Sequence, residues 1–160
     1  MYTHKDITYR PATEKDVVGL SLFLTAITEE NALASILQHD LPTIVNTIKS
    51  MLKDNQGAVL LAIDKNDIIV GAIVLGYTTL WWSTQGFFTN LAYYVTPEYR
   101  KGYGIQGKLL ELTKDFADGT GIPVLLDIFD NTDRHEKVVR YLSFKGYKNI
   151  GFKALYTPRE

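Results

Sequence analysis

VTPEYRKGYGIQGKLLELTKDF, Val95 to Phe116, runs from the end of a strand through a basic, glycine-bearing loop into a helix that begins near Gly104. Leu109, Leu110, Leu112 and Phe116 give that helix an apolar face. A strand, a glycine turn and a helix N-terminus in this order gather unpaired backbone N–H groups and the positive end of a helix dipole at one point, which suits a phosphate. Glycine lets the backbone approach a pyrophosphate with no Cβ in the way. The simpler reading of the same residues is a tight strand-to-helix turn with solvated Lys and Arg, because a glycine turn alone is a weak signal.

Toward the C-terminus, Gly119 and Gly121 stop the helix. VLLDIF, Val124 to Phe129, is apolar at nearly every position, as a central strand covered on both faces would be. Asp133 with Glu136 forms a capping-box pattern for a helix through about Phe144, ended by Gly146, and Tyr147 to Tyr156 reads as a strand or a hairpin broken at Gly151. Toward the N-terminus, Phe87 to Val95 is a strand, and Trp81 to Gly86 an exposed connection. Ile68 to Leu80 is a long strand or two kinked halves, with Gly71 and Gly76 as bulge candidates. A turn at Lys65, Asn66 and Asp67 joins it to a strand from Ala58 to Ile63. Before that, a helix after Asp40 carries Pro42 in its first turn and an apolar face of Ile44, Val45, Ile48, Met51 and Leu52. Glu29 to His39 is either a short helix around Leu33 to Leu37 or a loop. Thr13 and Asp16 resemble a capping box for a helix to about Thr28, with Val17, Leu20, Phe23, Leu24 and Ile27 on one face, and Ile7 to Arg10 is the first strand. The expected class is α/β (α+β): a mixed, mainly antiparallel sheet of six to seven strands flanked by about four helices.

At 160 residues the chain suits one domain, residues 1–160, and is too short for two ordinary ones. Apolar residues at 46% and charged residues at 22% match a globular protein, which sets disorder aside. No apolar run approaches the roughly 20 residues that span a bilayer, and MYTHKDITYR lacks the core of a signal peptide, so a cytoplasmic location is expected. A formal charge of −1 argues against a general nucleic-acid binder. The absence of cysteine excludes disulfides, thiolate metal sites and a cysteine nucleophile, and His4, His39 and His135 are too scattered for a metal motif.

The element order, taken with VTPEYRKGYGIQGKLL at residues 95–110, resembles the GCN5-related N-acetyltransferase (GNAT) family, which transfers an acetyl group from acetyl-coenzyme A to an amine. The likeness spans nearly the whole chain. ITYRPATEKDV resembles the family's first strand and helix, and Lys145-Gly146-Tyr147 resembles its "kGF" ending. The family's loop reads Gln or Arg, two residues, Gly, one residue, then Gly or Ala. Alignment on the helix face matches Lys101, Gly104 and Gln106, with Lys for Arg, Gln for the last Gly, and Arg100 as an extra residue. Alignment on the strand matches Tyr99, Gly102 and Gly104 instead. The helix face is the stronger anchor.

The resemblance implies the GNAT acyl-CoA N-acyltransferase fold, acetyl-CoA as co-substrate with no metal, and an amine acceptor on a small molecule or protein. It implies that amides of Lys101, Gly102, Tyr103, Gly104, Ile105, Gln106 and Gly107 hold the pyrophosphate, with Arg100, Lys101 and Lys108 adding positive charge. The backbone of Tyr93 and Val95 would then bond the pantetheine arm as an added strand does. Asn131 resembles a family Asn that bonds the cofactor, and reads equally as an Asx turn or cap.

Acetylation needs a neutral amine, an oxyanion donor and a proton for the leaving thiolate. Without cysteine, direct attack in a ternary complex is the mechanism implied. The family's usual acid is a Tyr four residues before the "GF" glycine. That position is Leu142 here, so the adjacent Tyr141 is the candidate, against the reading of a packed helix tyrosine. No Glu lies on the strand before the loop, which leaves Asp127, Asp130, His135 and Glu98 as candidate bases beside a water relay. Glu29 to His39 and the aromatic stretch of Tyr77, Trp81, Trp82, Phe87 and Phe88 would meet the acceptor, and the aromatics equally suit hairpin packing or a homodimer contact. Two other readings stand beside the enzyme: an acyl-CoA-binding sensor or interaction module with degenerate catalysis, and an unrelated domain holding another phosphate compound.

Overall fold

A computed structural model describes residues 6–30, 33, 36–53, 56–128, 135–151, 154 and 156–159. The chain opens with strand β1, Thr8–Pro11, and turns at once into helix α1, Val17–Glu30. The turn is tied by charge: both terminal nitrogens of the Arg10 guanidinium, Nη1 and Nη2, donate to the Asp16 carboxylate at 2.8 Å, and the same carboxylate accepts from the Thr13 N–H at 2.7 Å. The Arg10 bonds, ahead of those from Thr13, hold the Asp16 carboxyl well below the usual carboxylate range. Helix α2, Leu41–Leu52, is started by Asp40, whose side chain accepts from the Thr43 N–H at 2.9 Å, and by Pro42 in the first turn. Between these helices, Ile36 and Leu37 donate to the Leu33 carbonyl in a turn.

Strands β2, Gly57–Ile63, β3, Ile69–Thr79, and β4, Gly86–Val95, follow as an antiparallel meander. The β2–β3 turn is closed by Asp64, which accepts from the amides of Asn66 and Ile68, and Asp67 takes φ 61° there. Helix α3, Ile105–Thr120, carries the chain over to β5, Val124–Leu125, parallel to β4, and α4, His135–Phe144, comes last. Among the described residues the sheet has five strands in the order β1-β2-β3-β4-β5.

Four expectations are corrected. The sheet is five-stranded rather than six- or seven-stranded among the described residues, and β5 is a two-residue edge strand instead of a central one reaching Phe129. The ladder stops because beyond Leu125 the Asp127 peptide bonds the Asn90 side chain in place of a neighbouring backbone. No strand forms over the described residues of 147–156. Gly146 leaves α4 at φ 90°, and the Tyr147 hydroxyl donates to the Leu110 carbonyl at 3.0 Å, which ties the start of this segment to α3. Finally, neither Gly71 nor Gly76 is a bulge: the register slips at Val70, between the Ala62–Gly71 and Ile63–Ile69 pairs, and at Leu91 on β4. Asp133, the expected cap of α4, lies outside the described residues.

Helices cover both faces of the sheet. On one, Val17, Leu20 and Leu24 of α1 and Ile48 of α2 pack on Val59, Leu61, Ala72 and Val74. On the other, Ile105 and Leu109 of α3 pack on Ala62, Val70, Ile73, Leu75, Phe88 and Val95. Each Val, Leu, Ile or Phe among them contributes about 1.5–3 kcal/mol when fully buried. Gly71 sets how close α3 comes: a Cβ there would lie 2.8 Å from Ile105 Cγ2.

Candidate functional site

The site begins with one surplus residue. Val74 faces Ala92 and Leu75 faces Asn90, so Leu91 is bulged out of β4. A bulge bends its strand and sharpens the local twist. β5 pairs with β4 only before this point, at Phe88 and Thr89, so β4 from Leu91 to Val95 has no strand on that side among the described residues. The Thr96 N–H donates to the Val70 carbonyl at 2.9 Å, and by the period of two the peptides of Tyr93 and Val95 turn away from β3 toward the open edge. The Val95 carbonyl does point outward, where it accepts from Arg100 Nε at 2.8 Å.

β4 then delivers the chain to the loop. Pro97–Tyr99 makes one tight turn, and Tyr99 packs on Tyr103 with ring centroids 4.8 Å apart. Gly102 and Gly104 take φ 84° and 65°, the left-handed region that a side chain enters only at a cost of about 1–2 kcal/mol. Gly104 is the N-cap of α3, and the first bond of the helix runs from the Lys108 N–H to its carbonyl at 3.0 Å. The amides of Ile105, Gln106 and Gly107 therefore lie ahead of the helical ladder, at the positive end of the dipole. Gly102, Gly104 and Lys101 are exposed around them, while Ile105 is fully buried and anchors the turn to the sheet. Lys108 stands beside the turn and pairs with Glu111 at 3.6 Å, a surface pair of little strength. This cradle, with glycine where the backbone must turn and cations at its rim, fits a pyrophosphate.

Arg100 is more committed than its place in the motif suggests. Besides the Val95 carbonyl, it reaches Glu30 at 2.7 Å and stacks over the Tyr94 ring at 5.2 Å. Tyr94 also donates to Glu30, at 2.8 Å, and burial followed by this bond pushes its phenol up to about 12. The end of α1 is thereby joined to the loop. Glu30 and Tyr94 were not singled out in the sequence, where a Glu at a helix end carries no signal for a partner seventy positions away.

Tyr93 and Tyr141 meet at the first turn of α3. The Tyr93 hydroxyl donates to the Gln106 carbonyl at 3.1 Å, and burial, then the neighbouring Tyr141, raises its pKa. A Cβ on Gly107 would lie 2.6 Å from the Tyr141 hydroxyl, so glycine is what lets this phenol sit there. Lys145 brackets the ring, 5.9 Å from its centroid, and pairs with Glu111 at 3.2 Å. Tyr93, Val95, the loop from Arg100 to Lys108, and Tyr141 thus converge on one end of α3. Asn131 and Asp130 lie outside the described residues. Glu98 is exposed on the loop shoulder, and Asp127 lies across the open edge from β4, held through its backbone by Asn90. Asn90 had no place in the sequence reading, although one amide inside FFTNLAYYV was the visible signal.

The aromatic stretch divides. Tyr77 packs edge-on against Phe88, 5.5 Å between centroids, and covers Gly86, whereas Trp81 and Trp82 at the β3–β4 tip are 95% and 66% exposed.

No protein-family model matches the sequence, and no curated protein matches it. Solved structures do. A "possible acetyltransferase" from Clostridium difficile 630 superposes with TM-score 0.69 at 20% identity, over 97% of this chain and 99% of that one. The aminoglycoside 6'-N-acetyltransferase AAC(6')-Ih from Acinetobacter baumannii gives TM-score 0.67 at 12% identity, over 96% and 98%. AAC(6')-Iy, in complex with the bisubstrate analog CoA-S-monomethyl-acetylneamine, gives TM-score 0.67 at 11% identity, again over 96% and 98%. Over the 96–97% of the chain that superposes, the fold is the one these acetyltransferases have. Among the described residues no helix is long and apolar enough to cross a membrane.

Proposed function

We propose that the protein is an acetyl-CoA-dependent N-acetyltransferase that acetylates a primary amine of a small molecule or protein by direct attack in a ternary complex. One observation carries the reading: the bulge at Leu91 opens the β4 edge, and that edge runs straight into a glycine cradle at the N-terminus of α3. A coenzyme A thioester needs both, a strand edge for its amide-bearing arm and a ring of N–H donors for its pyrophosphate. Shared fold alone would not decide function.

In this reading the outward peptides of Tyr93 and Val95 bond the arm, and the amides from Lys101 to Gly107 hold the phosphates, with Lys101 and Lys108 supplying charge. Arg100, spent on Val95 and Glu30, shapes the loop more than it neutralises phosphate. The neutral amine attacks the thioester carbonyl; a C–N bond forms, the C–S bond breaks, Tyr141 gives its proton to the leaving thiolate, and the proton that the nitrogen sheds returns through water to the Tyr141 phenolate. Acetyl-CoA supplies the activated acyl group.

Calorimetry with acetyl-CoA tests the binding half. Micromolar to low-millimolar affinity is expected, and Gly104→Val, which forces a β-branched residue to φ 65°, should abolish it while the circular dichroism spectrum is kept. Normal affinity in that variant refutes the assigned cradle. A thiol-release assay across polyamines, aminoglycosides, amino acids and peptides tests the chemistry. Silence with cofactor bound points to the acyl-CoA sensor instead.

A further inference from the structure

Asn90 does with its side chain what backbone groups do elsewhere in the sheet. Its carboxamide nitrogen donates to the Asp127 carbonyl at 2.8 Å and its oxygen accepts from the Asp127 N–H at 2.7 Å. A side chain so placed imitates a peptide group and makes the two bonds that a ladder pair would make. It does this at one place, between the last true pair, Thr89 with Leu125, and the bulged Leu91. The carboxamide is thus the last rung before the two strands part, and it fixes how far Asp127 stands from β4.

Resting on the acyl-CoA reading above, we propose that Asn90 is a positioning and specificity-determining residue that forms the floor of the acyl pocket and limits the acyl group to a short chain. From Val95 beside the cradle back to Asn90 is about 15 Å of strand at roughly 3.3 Å per residue, less the bulge. An extended pantetheine arm along that edge has its sulfur near Leu91 and its acyl group against the Asn90–Asp127 bridge. The Asn90 side chain is short and is held to the Asp127 peptide by two hydrogen bonds, so it yields to a longer chain less readily than a packed side chain would. The acyl group of acetyl-CoA fits above it; butyryl meets it.

The test needs no acceptor. Affinities of the unmodified protein for coenzyme A, acetyl-CoA and butyryl-CoA are measured by calorimetry beside those of Asn90→Ala and Asn90→Asp. Asn90→Ala removes the bridge; Asn90→Asp keeps the size and the bond from the Asp127 N–H but sets an oxygen against the Asp127 carbonyl. The unmodified protein is expected to prefer acetyl over butyryl by at least tenfold. In Asn90→Ala that ratio should fall at least tenfold with affinity for coenzyme A itself kept within threefold, and Asn90→Asp should fall between. A variant that melts more than a few degrees lower but keeps the acyl ratio shows a merely structural brace and overturns the proposal. If Asn90→Ala does not fold, the Asn90→Asp ratio decides alone. Failure of the unmodified protein to bind coenzyme A at all overturns the acyl-CoA reading and this inference with it, a result distinct from binding with an unchanged ratio.

Discussion

The Tyr141 hydroxyl occupies space that any side chain at position 107 would take, since a Cβ there would stand 2.6 Å away. That closeness places the phenol beside Tyr93, on the stretch of β4 that the bulge leaves open. The ring is 40% exposed, so it meets solvent as well as the first turn of α3. A tyrosine in this place serves as an acid or as a wedge between α4 and α3, and the two roles separate on one atom. Tyr141→Phe keeps the wedge and removes the proton. Turnover in a thiol-release assay is expected to fall about 10²- to 10⁴-fold, with acetyl-CoA affinity within about threefold of the unmodified protein. Unchanged turnover assigns Tyr141 to packing. Arg100 shows the opposite case, a residue whose type suggested phosphate and whose three contacts are with Val95, Glu30 and Tyr94.

At the scale of elements, the distance between α3 and the sheet sets where the loop amides stand. Ile105, the first residue of the helix, lies over Gly71 of β3, and the space there is full: an added Cβ would be 2.8 Å from Ile105 Cγ2, 3.3 Å from Ala62 Cβ and 3.4 Å from Leu109 Cδ1. Gly71→Ala must lift the start of α3, because β3 is held on both sides by its neighbours. Overpacking of this kind costs about 1–3 kcal/mol. The same shift moves the amides of Ile105 to Gly107, so acetyl-CoA affinity should fall about tenfold, or 1.4 kcal/mol. Gly19→Ala is the control. Its Cβ would meet only Ile69 Cδ1, at 3.9 Å, on an exposed face of α1, so it should gain about 0.4–1 kcal/mol and leave binding alone. Loss of stability in Gly71→Ala with unaltered binding would separate α3 from the site.

For the molecule as a whole, what could be read in advance was whatever had a period or a cap. The apolar faces of α1, α2 and α3, the Asp40 and Gly121 boundaries and the meander all have local causes in neighbouring residues. The end of the sheet does not. VLLDIF is apolar enough for a long central strand, yet beyond Leu125 the Asp127 peptide is paired by the Asn90 side chain, thirty-seven positions earlier. The bulge at Leu91 has no mark of its own, since an extra apolar residue in an apolar strand changes nothing in the pattern. The two helical layers share one sheet: Ala72 and Val74 face α1 and α2, and Ile73 and Leu75 face α3. Neither layer keeps a core without the strands of the other, so thermal unfolding is expected to be a single cooperative transition. Acetyl-CoA at a hundred times its dissociation constant should add about 2.7 kcal/mol. At about 2–4 °C per kcal/mol for a chain of this size, the midpoint should rise by roughly 5–10 °C. The rise should appear in the whole transition, by circular dichroism and by tryptophan fluorescence alike, and be absent in Gly104→Val. Two resolved transitions, of which the ligand moves one, would show that the α1–α2 layer melts apart from the cofactor site; no rise in the unmodified protein would set coenzyme A aside as its ligand.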